Sequence, residues 1–126
     1  MKVLDTCALI YWTLDPDGLS EAAKTAIDQD DKLCISSISI WEVGIKVMRK
    51  KLIIPLTIDD FTQRLNKIDK LEIISVDSKI WLENLHLKWK HKDPADRTIV
   101  ATARLNKCPL LTSDSNIAQF YKQSVW

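Results

Sequence analysis

Five carboxylates in this chain have surroundings suited to chemistry. They are Asp5 in "VLDT", Glu42 in "SSISIWEV", Asp93 and Asp96 in "HKDPADRTIVATARL", and Asp114 in "LLTSD". Carboxylate oxygens without histidine or cysteine ligands select hard cations such as Mg²⁺ or Mn²⁺. A cation held in this way suits phosphoryl transfer, because it activates water and stabilises charge on a phosphate. Each acid also has a plain structural explanation. Asp is a preferred helix N-cap, which accounts for Asp5 before Thr6 and Asp114 before Ser115. Ser39-x-x-Glu42 matches a capping box. Asp93-Pro94-Ala95-Asp96 supplies a cap, a proline at the first helical position and an acid that suits the helix dipole.

The elements that must position these acids alternate between buried strands and amphipathic helices. Residues 2–5, 32–36, 71–76 and 109–113 read as strands, with "SVW" at 124–126 as an edge strand. Helices are predicted over 6–14, 19–28, 39–50, 57–68, 77–89, 94–106 and 115–121. The helix over 39–50 is expected to bury Ile40, Val43, Gly44, Val47 and Met48. Strands separated by helices with short connections imply an α/β fold whose parallel sheet is covered on both faces. Ligands in such sheets gather beyond the carboxyl ends of the strands. Asp5 and Asp114 end the first and fourth strands, and Glu42 is expected in the first turn of the helix after the second. Asp96 joins them if its helix begins at the same sheet edge. Carboxylates gathered there raise one another's pKa unless a cation is bound. That favours a metal role for Asp5, Glu42, Asp96 and Asp114 as a set, and leaves Asp93 as a cap.

Composition narrows the alternatives. The 126 residues suit one domain, spanning 1–126. With only Gly18 and Gly44, neither a dinucleotide fingerprint nor a P-loop can be present. Cys7, Cys34 and Cys108 form no Cys-x-x-Cys pair, and with His86 and His91 they offer no zinc spacing; they read as buried free thiols. No apolar run approaches the roughly 20 residues that span a bilayer. Asp5 interrupts the N-terminal apolar stretch, so a cytosolic protein without membrane contact is expected. A net charge of +1 gives no global attraction to a polyanion, so nucleic acid would have to meet local patches. Two basic groups offer such patches, Lys46 with Arg49, Lys50 and Lys51, and Lys88 with Lys90, His91 and Lys92. Both also read as solvated surface; the second adjoins Asp93 and Asp96. Arg97 suits either a phosphate or a neighbouring acid. Trp12, Trp41, Trp81 and Trp89 fall on apolar helix faces and read as core or interface.

The motifs "VLDTCALIYW", "SSISIWEV", "HKDPADRTIVATA" and "LLTSD" occur in the order and spacing of PIN-domain proteins. Over essentially its whole length the chain resembles the VapC-type ribonuclease toxins of toxin–antitoxin pairs. The resemblance implies a three-layer α/β/α PIN-like fold with a central, mainly parallel sheet of four to five strands. It implies a Mg²⁺-dependent endoribonuclease, with Mn²⁺ as the alternative ion. Asp5 and Asp96 would anchor the metal, and Glu42 and Asp114 would complete its shell or orient the attacking water. Thr6 and Ser113 stand where hydroxyls adjoin the acids, and Asp93 belongs to the "DPxDR" variant as a cap or outer group. Lys88, Lys90, Lys92 and Arg97 are the expected RNA contacts. A VapB-type antitoxin and a homodimer are implied as partners. Cys7 departs from the asparagine common in relatives, which leaves the acids intact. A second reading is a catalytically silent PIN-like module that grips RNA or protein. A response-regulator receiver is disfavoured because "LDTC" lacks its acidic pair.

Overall fold

In the computed structural model, which describes residues 1–126, every strand pairs in parallel and the sheet order is β3-β2-β1-β4-β5. The chain begins with β1 (Lys2–Leu4), α1 (Thr6–Leu14), a 3₁₀ turn (Pro16–Gly18) and α2 (Glu21–Gln29). It continues through β2 (Leu33–Ser36), α3 (Ser37–Met48), α4 (Ile58–Asn66), β3 (Leu71–Ile74), α5 (Ser78–His86) and α6 (Pro94–Leu105). β4 (Leu110–Leu111), α7 (Ser115–Phe120) and β5 (Ser124–Val125) complete it. This is the expected three-layer α/β architecture, with "SVW" supplying the fifth strand.

Alternation along the strands explains the two covered faces. Leu4, Leu33, Ile35 and Leu111 point into a core shared with α1, α2 and α4, through Ala8, Leu9, Ala23, Ile27, Phe61 and Leu65. Val3, Cys34 and Leu110 point the other way, against Ile80 of α5, Ile99, Val100 and Ala103 of α6, and Ile117 of α7. The chain builds outward from β1 through β2 to β3, then returns to lay β4 on the opposite side of β1. That reversal makes the carboxyl ends of β1 and β4 the topological switch point, where a crevice opens in sheets of this kind.

Four local expectations change. The helix after β2 begins at Ser37, capped by Ser36, whose hydroxyl accepts from the Ile38 N–H. Ser39 is therefore inside the helix and cannot form a capping box with Glu42, which lies in the second turn rather than the first. Met48 is 78% exposed instead of buried, because it lies off the stripe of Ile40, Val43 and Val47 and the helix stops beside it. α2 begins at Glu21 because the 3₁₀ turn takes Pro16–Gly18 and Ser20 caps the next helix. Finally, α5 ends at His86 rather than at Trp89. The side chain of Arg97 captures the carbonyls of Asn84, Leu87, Trp89 and His91, and so draws residues 87–91 out as an extended connection.

The two glycines differ in what surrounds them. A Cβ on Gly18 would lie 2.2 Å from Cδ1 of Tyr11, whose ring also packs against Trp126 with centroids 5.8 Å apart. A Cβ on Gly44, inside α3, would make an ordinary 3.7 Å contact with Ile58. Gly44→Ala is therefore expected to raise stability by about 0.5–1 kcal/mol through helix propensity. Gly18→Ala should lower it by roughly 1–3 kcal/mol as Tyr11 is displaced. Urea unfolding of both variants checks this; two changes of the same sign would contradict it.

Candidate active site

Asp5 follows β1 directly and is only 4% exposed. It caps α1, with Oδ1 accepting the Ala8 N–H at 2.8 Å, while Oδ2 accepts the Thr112 hydroxyl at 2.5 Å. Thr112, just beyond β4, uses the same oxygen to accept the Asp114 N–H at 3.0 Å. One threonine thus ties the end of β1 to the turn that carries Asp114. Asp114 in turn caps α7, its Oδ1 accepting from the Asn116 and Ile117 N–H groups. The cap readings of Asp5 and Asp114 hold, and they coexist with placement at the switch point.

Glu42 reaches the same crevice from α3, where its Oε1 accepts the Thr6 hydroxyl. Since the Thr6 proton is committed there, the Ser39 hydroxyl donates to Thr6, at 2.9 Å, in a buried relay from Ser39 through Thr6 to Glu42. Asp96 lies in the first turn of α6, and its Oδ2 meets His91 Nε2 at 2.8 Å. His91 is itself backed by Trp89, ring centroids 4.7 Å apart, and Trp89 stacks on Phe120 of α7. Asp93 is exposed and caps α6 by accepting the Asp96 N–H at 2.9 Å.

The electrostatics show how close these groups lie. Burial pushes the Asp5 carboxyl up to about 6, against the opposing bonds from Thr112 and Ala8, and the charges of Asp96 and Asp114 push it further. Glu42 is raised by burial, opposed by its Thr6 bond, raised again by Asp96 and Asp93, and lowered by the Lys46 charge. Asp96 is raised by burial, opposed by its His91 bond, and raised by Asp93 and Asp114. No lysine or arginine forms an ion pair with any of these acids; His91 is the only basic side chain in contact with the set.

The donor set fits a hard divalent cation. No three His, Cys, Asp or Glu side chains already converge on one point. Mg²⁺ takes one or two carboxylates directly and keeps several waters. Glu42 and Asp96 each have one carboxylate oxygen bonded and one without a protein partner.

Three expectations need correction. Ser113 is exposed and makes no side-chain hydrogen bond; the hydroxyl that adjoins the acids after β4 belongs to Thr112. Arg97 pairs with no acid. All five of its N–H donors are spent on the side-chain oxygen of Asn84 and the carbonyls of Asn84, Leu87, Trp89 and His91. Cys7 is exposed at the crevice rim, while Cys34 and Cys108 are buried as expected. Lys88, Lys90 and Lys92 are exposed and unpaired along the connection before α6. Sequence reasoning also missed Ser39 and the contact of His91. Ser39 had a signal, since it precedes Glu42 by one helical turn; His91 sits in an extended connection without periodicity and had none.

The raised Asp5 carboxyl sets a pH dependence. Its folded-state value of about 6 exceeds the unfolded value, so its contribution to stability is complete below the unfolded pKa and is lost as pH rises through about 6. Without divalent ions, Asp5→Asn should be more stable than the parent at pH 7.5 by roughly 1–3 kcal/mol, and equal to it near pH 4. The amide keeps the Oδ1 acceptor for Ala8, so the cap survives. Thermal melts in EDTA across this range test it, and a less stable variant at pH 7.5 would contradict the electrostatic account.

Comparison with known proteins agrees with this geometry. The PIN domain family model matches residues 2–123. Ribonuclease VapC22 of Mycobacterium tuberculosis is 26% identical over 116 residues, covering 91% of this chain and 88% of that protein. A toxin–antitoxin complex from Klebsiella pneumoniae contains a similar fold, with a TM-score of 0.72 at 22% identity, covering 100% of this chain and 97% of that one. The sarcin–ricin loop cleaving toxin VapC20 of M. tuberculosis has a TM-score of 0.69 at 12% identity, over 94% of each chain. With the matched family region running from β1 almost to β5 and the acids at the switch point of its sheet, the chain belongs to the PIN domain family.

Proposed function

We propose that the protein is a metal-dependent endoribonuclease, the toxin of a toxin–antitoxin pair. The observation that carries this is the set of four acids, Asp5, Glu42, Asp96 and Asp114, at one sheet edge, none of which forms an ion pair with a lysine or arginine. Asp5 and Asp96 would hold Mg²⁺, or Mn²⁺ in its place, with Glu42 and Asp114 at its margin. When bound, the ion supplies water activation and charge stabilisation at the phosphodiester.

The chain's own residues supply the rest. Thr112 and the α1 N-terminus fix the direction of Asp5, and His91 fixes Asp96. The Ser39–Thr6 relay holds one oxygen of Glu42 and leaves the other to orient the attacking water. In-line attack on the RNA phosphodiester would leave 5′-phosphate and 3′-hydroxyl ends. Lys88, Lys90 and Lys92 stand beside the acids as unpaired cations suited to the RNA backbone.

The partners follow from the same reading. The Klebsiella toxin–antitoxin complex supports an antitoxin partner for this chain. A homodimer, implied by family resemblance, has one supporting feature: Trp81, Leu82 and Leu85 of α5 form an exposed apolar face. No helix is long and apolar enough to cross a membrane, and a cytoplasmic location is proposed on the resemblance. A silent binding module is the less economical reading, because binding alone gives no reason to keep four mutually repelling acids.

Incubating purified protein with RNA and Mg²⁺ should give cleavage that EDTA abolishes. Asp5→Asn and Asp96→Asn should each reduce the rate at least about 100-fold. Undiminished cleavage by either variant, or cleavage in EDTA, would sink the metal mechanism.

A further inference from the structure

Trp41 immediately precedes Glu42 on α3, yet its side chain is 58% exposed instead of lying in the core. It lines a cleft of about 340 Å³ together with Glu42, Lys46, Arg49, Lys51 and Asp93. Helical spacing explains this layout. Trp41 and Arg49 lie on one i, i+4, i+8 row, while Glu42 and Lys46 lie on the neighbouring i, i+4 row. The cleft therefore runs along α3 from the acids towards its C-terminus, about 12 Å at 1.5 Å per residue. Arg49 and Lys51 are exposed and form no ion pair.

An indole face beside three cations is the arrangement by which proteins hold an unpaired nucleotide: a base stacks on the ring and its phosphates meet the charges. A duplex cannot use such a wall, because its bases are already stacked on one another. Glu42 is part of the cleft's lining, so a strand lying in it would reach the acidic site.

We propose that this cleft is a single-stranded RNA subsite flanking the scissile phosphate, with Trp41 stacking one unpaired base and Lys46, Arg49 and Lys51 holding the adjoining phosphates. It rests on the ribonuclease reading and names the residues of this chain that would hold the unpaired strand. The positive charge selects RNA over an apolar protein segment as the occupant. The exposed Lys88, Lys90 and Lys92 precede Asp93 in the connection to α6 and would extend the track.

The test separates binding from cleavage. Binding of a fluorescent single-stranded oligoribonucleotide is measured by anisotropy in EDTA, in an Asp5→Asn background, with matched duplex RNA and polyglutamate as competing probes. Trp41→Ala should weaken single-strand binding roughly 5- to 100-fold, the loss of one base–aromatic stack, and Trp41→Phe should restore much of it. Arg49→Ala with Lys51→Ala should weaken binding and flatten its salt dependence, by about 0.7 in log–log slope for each phosphate no longer held. Leu105→Ala, an exposed apolar residue outside the cleft, should change nothing, and melting curves confirm that each variant folds. Unchanged binding by Trp41→Ala overturns the subsite, as does duplex RNA bound as tightly with the same sensitivity. Polyglutamate displaced by the same variants with RNA unaffected would assign the cleft to an acidic protein segment and overturn it too. If Trp41→Ala loses binding while the parent never cleaves with Mg²⁺, the subsite stands and the ribonuclease reading fails.

Discussion

Repulsion among four carboxylates in one partly buried crevice governs how the surrounding structure is built. Asp5, the most deeply buried, experiences both the desolvation of its charge and the fields of Asp96 and Asp114. The protein opposes this mainly with dipoles, adding only the Lys46 charge near Glu42 and His91 against Asp96. The N-termini of α1, α6 and α7 all open on the crevice, and hydroxyls of Thr6 and Thr112 donate to Glu42 and Asp5. Asp30 shows the contrasting solution at the opposite end of β1. There the Met1 amine and the Lys2 ammonium meet the carboxylate, and the charges hold it well below the usual carboxylate range. Had the crevice been organised for stability alone, that solution was available to it.

The repulsion is outweighed by the sheet that creates it. Docking β4 beside β1 brings Asp114 and Thr112 against Asp5, and the same pairing buries Val3, Leu4, Leu110 and Leu111 completely. Full burial of four such side chains contributes about 6–12 kcal/mol. Ionising one carboxyl whose pKa lies near 6 costs on the order of 3 kcal/mol. The apolar strands can therefore hold the acids together, and the acids retain unmet demand for positive charge. The site is a local sacrifice of stability carried by the adjacent core, as functional sites commonly are.

The sequence revealed the scaffold more fully than the contacts within the site. Short apolar strands between amphipathic helices implied the parallel sheet, and the strand-end rule selected Asp5 and Asp114. For both, capping a helix and standing at the crevice are compatible. A helix N-terminus at a strand end welcomes a carboxylate and also aims it at the crevice, so one sequence pattern serves both roles. Ser39 and Glu42 mimicked a capping box because helix starts shift by a residue or two at little cost, and Ser36 was an equally good cap. Thr112 and Ser113 were indistinguishable as hydroxyls; their opposite directions follow from strand geometry that the type of residue does not encode. The role of Arg97 was least legible. Its partners are main-chain carbonyls, which every residue possesses, so no pattern of side chains announces them.

That arginine bears on how the site keeps its shape. By drawing the chain after α5 into an extended path, Arg97 places Trp89 against Phe120 and His91 against Asp96. Asp96 is thus braced from two directions, by Asp93 on its own helix and by a histidine whose ring rests on a stack reaching α7. α7 is also capped by Asp114, so two acids on separate elements share a framework that runs through Trp89 and Phe120. Movement of either acid would have to disturb aromatic packing as well as hydrogen bonds. A guanidinium that looked like a phosphate contact in the sequence acts one layer back, where five bonds to a single connection give it more influence over the geometry of the acids than a direct bond to one phosphate would.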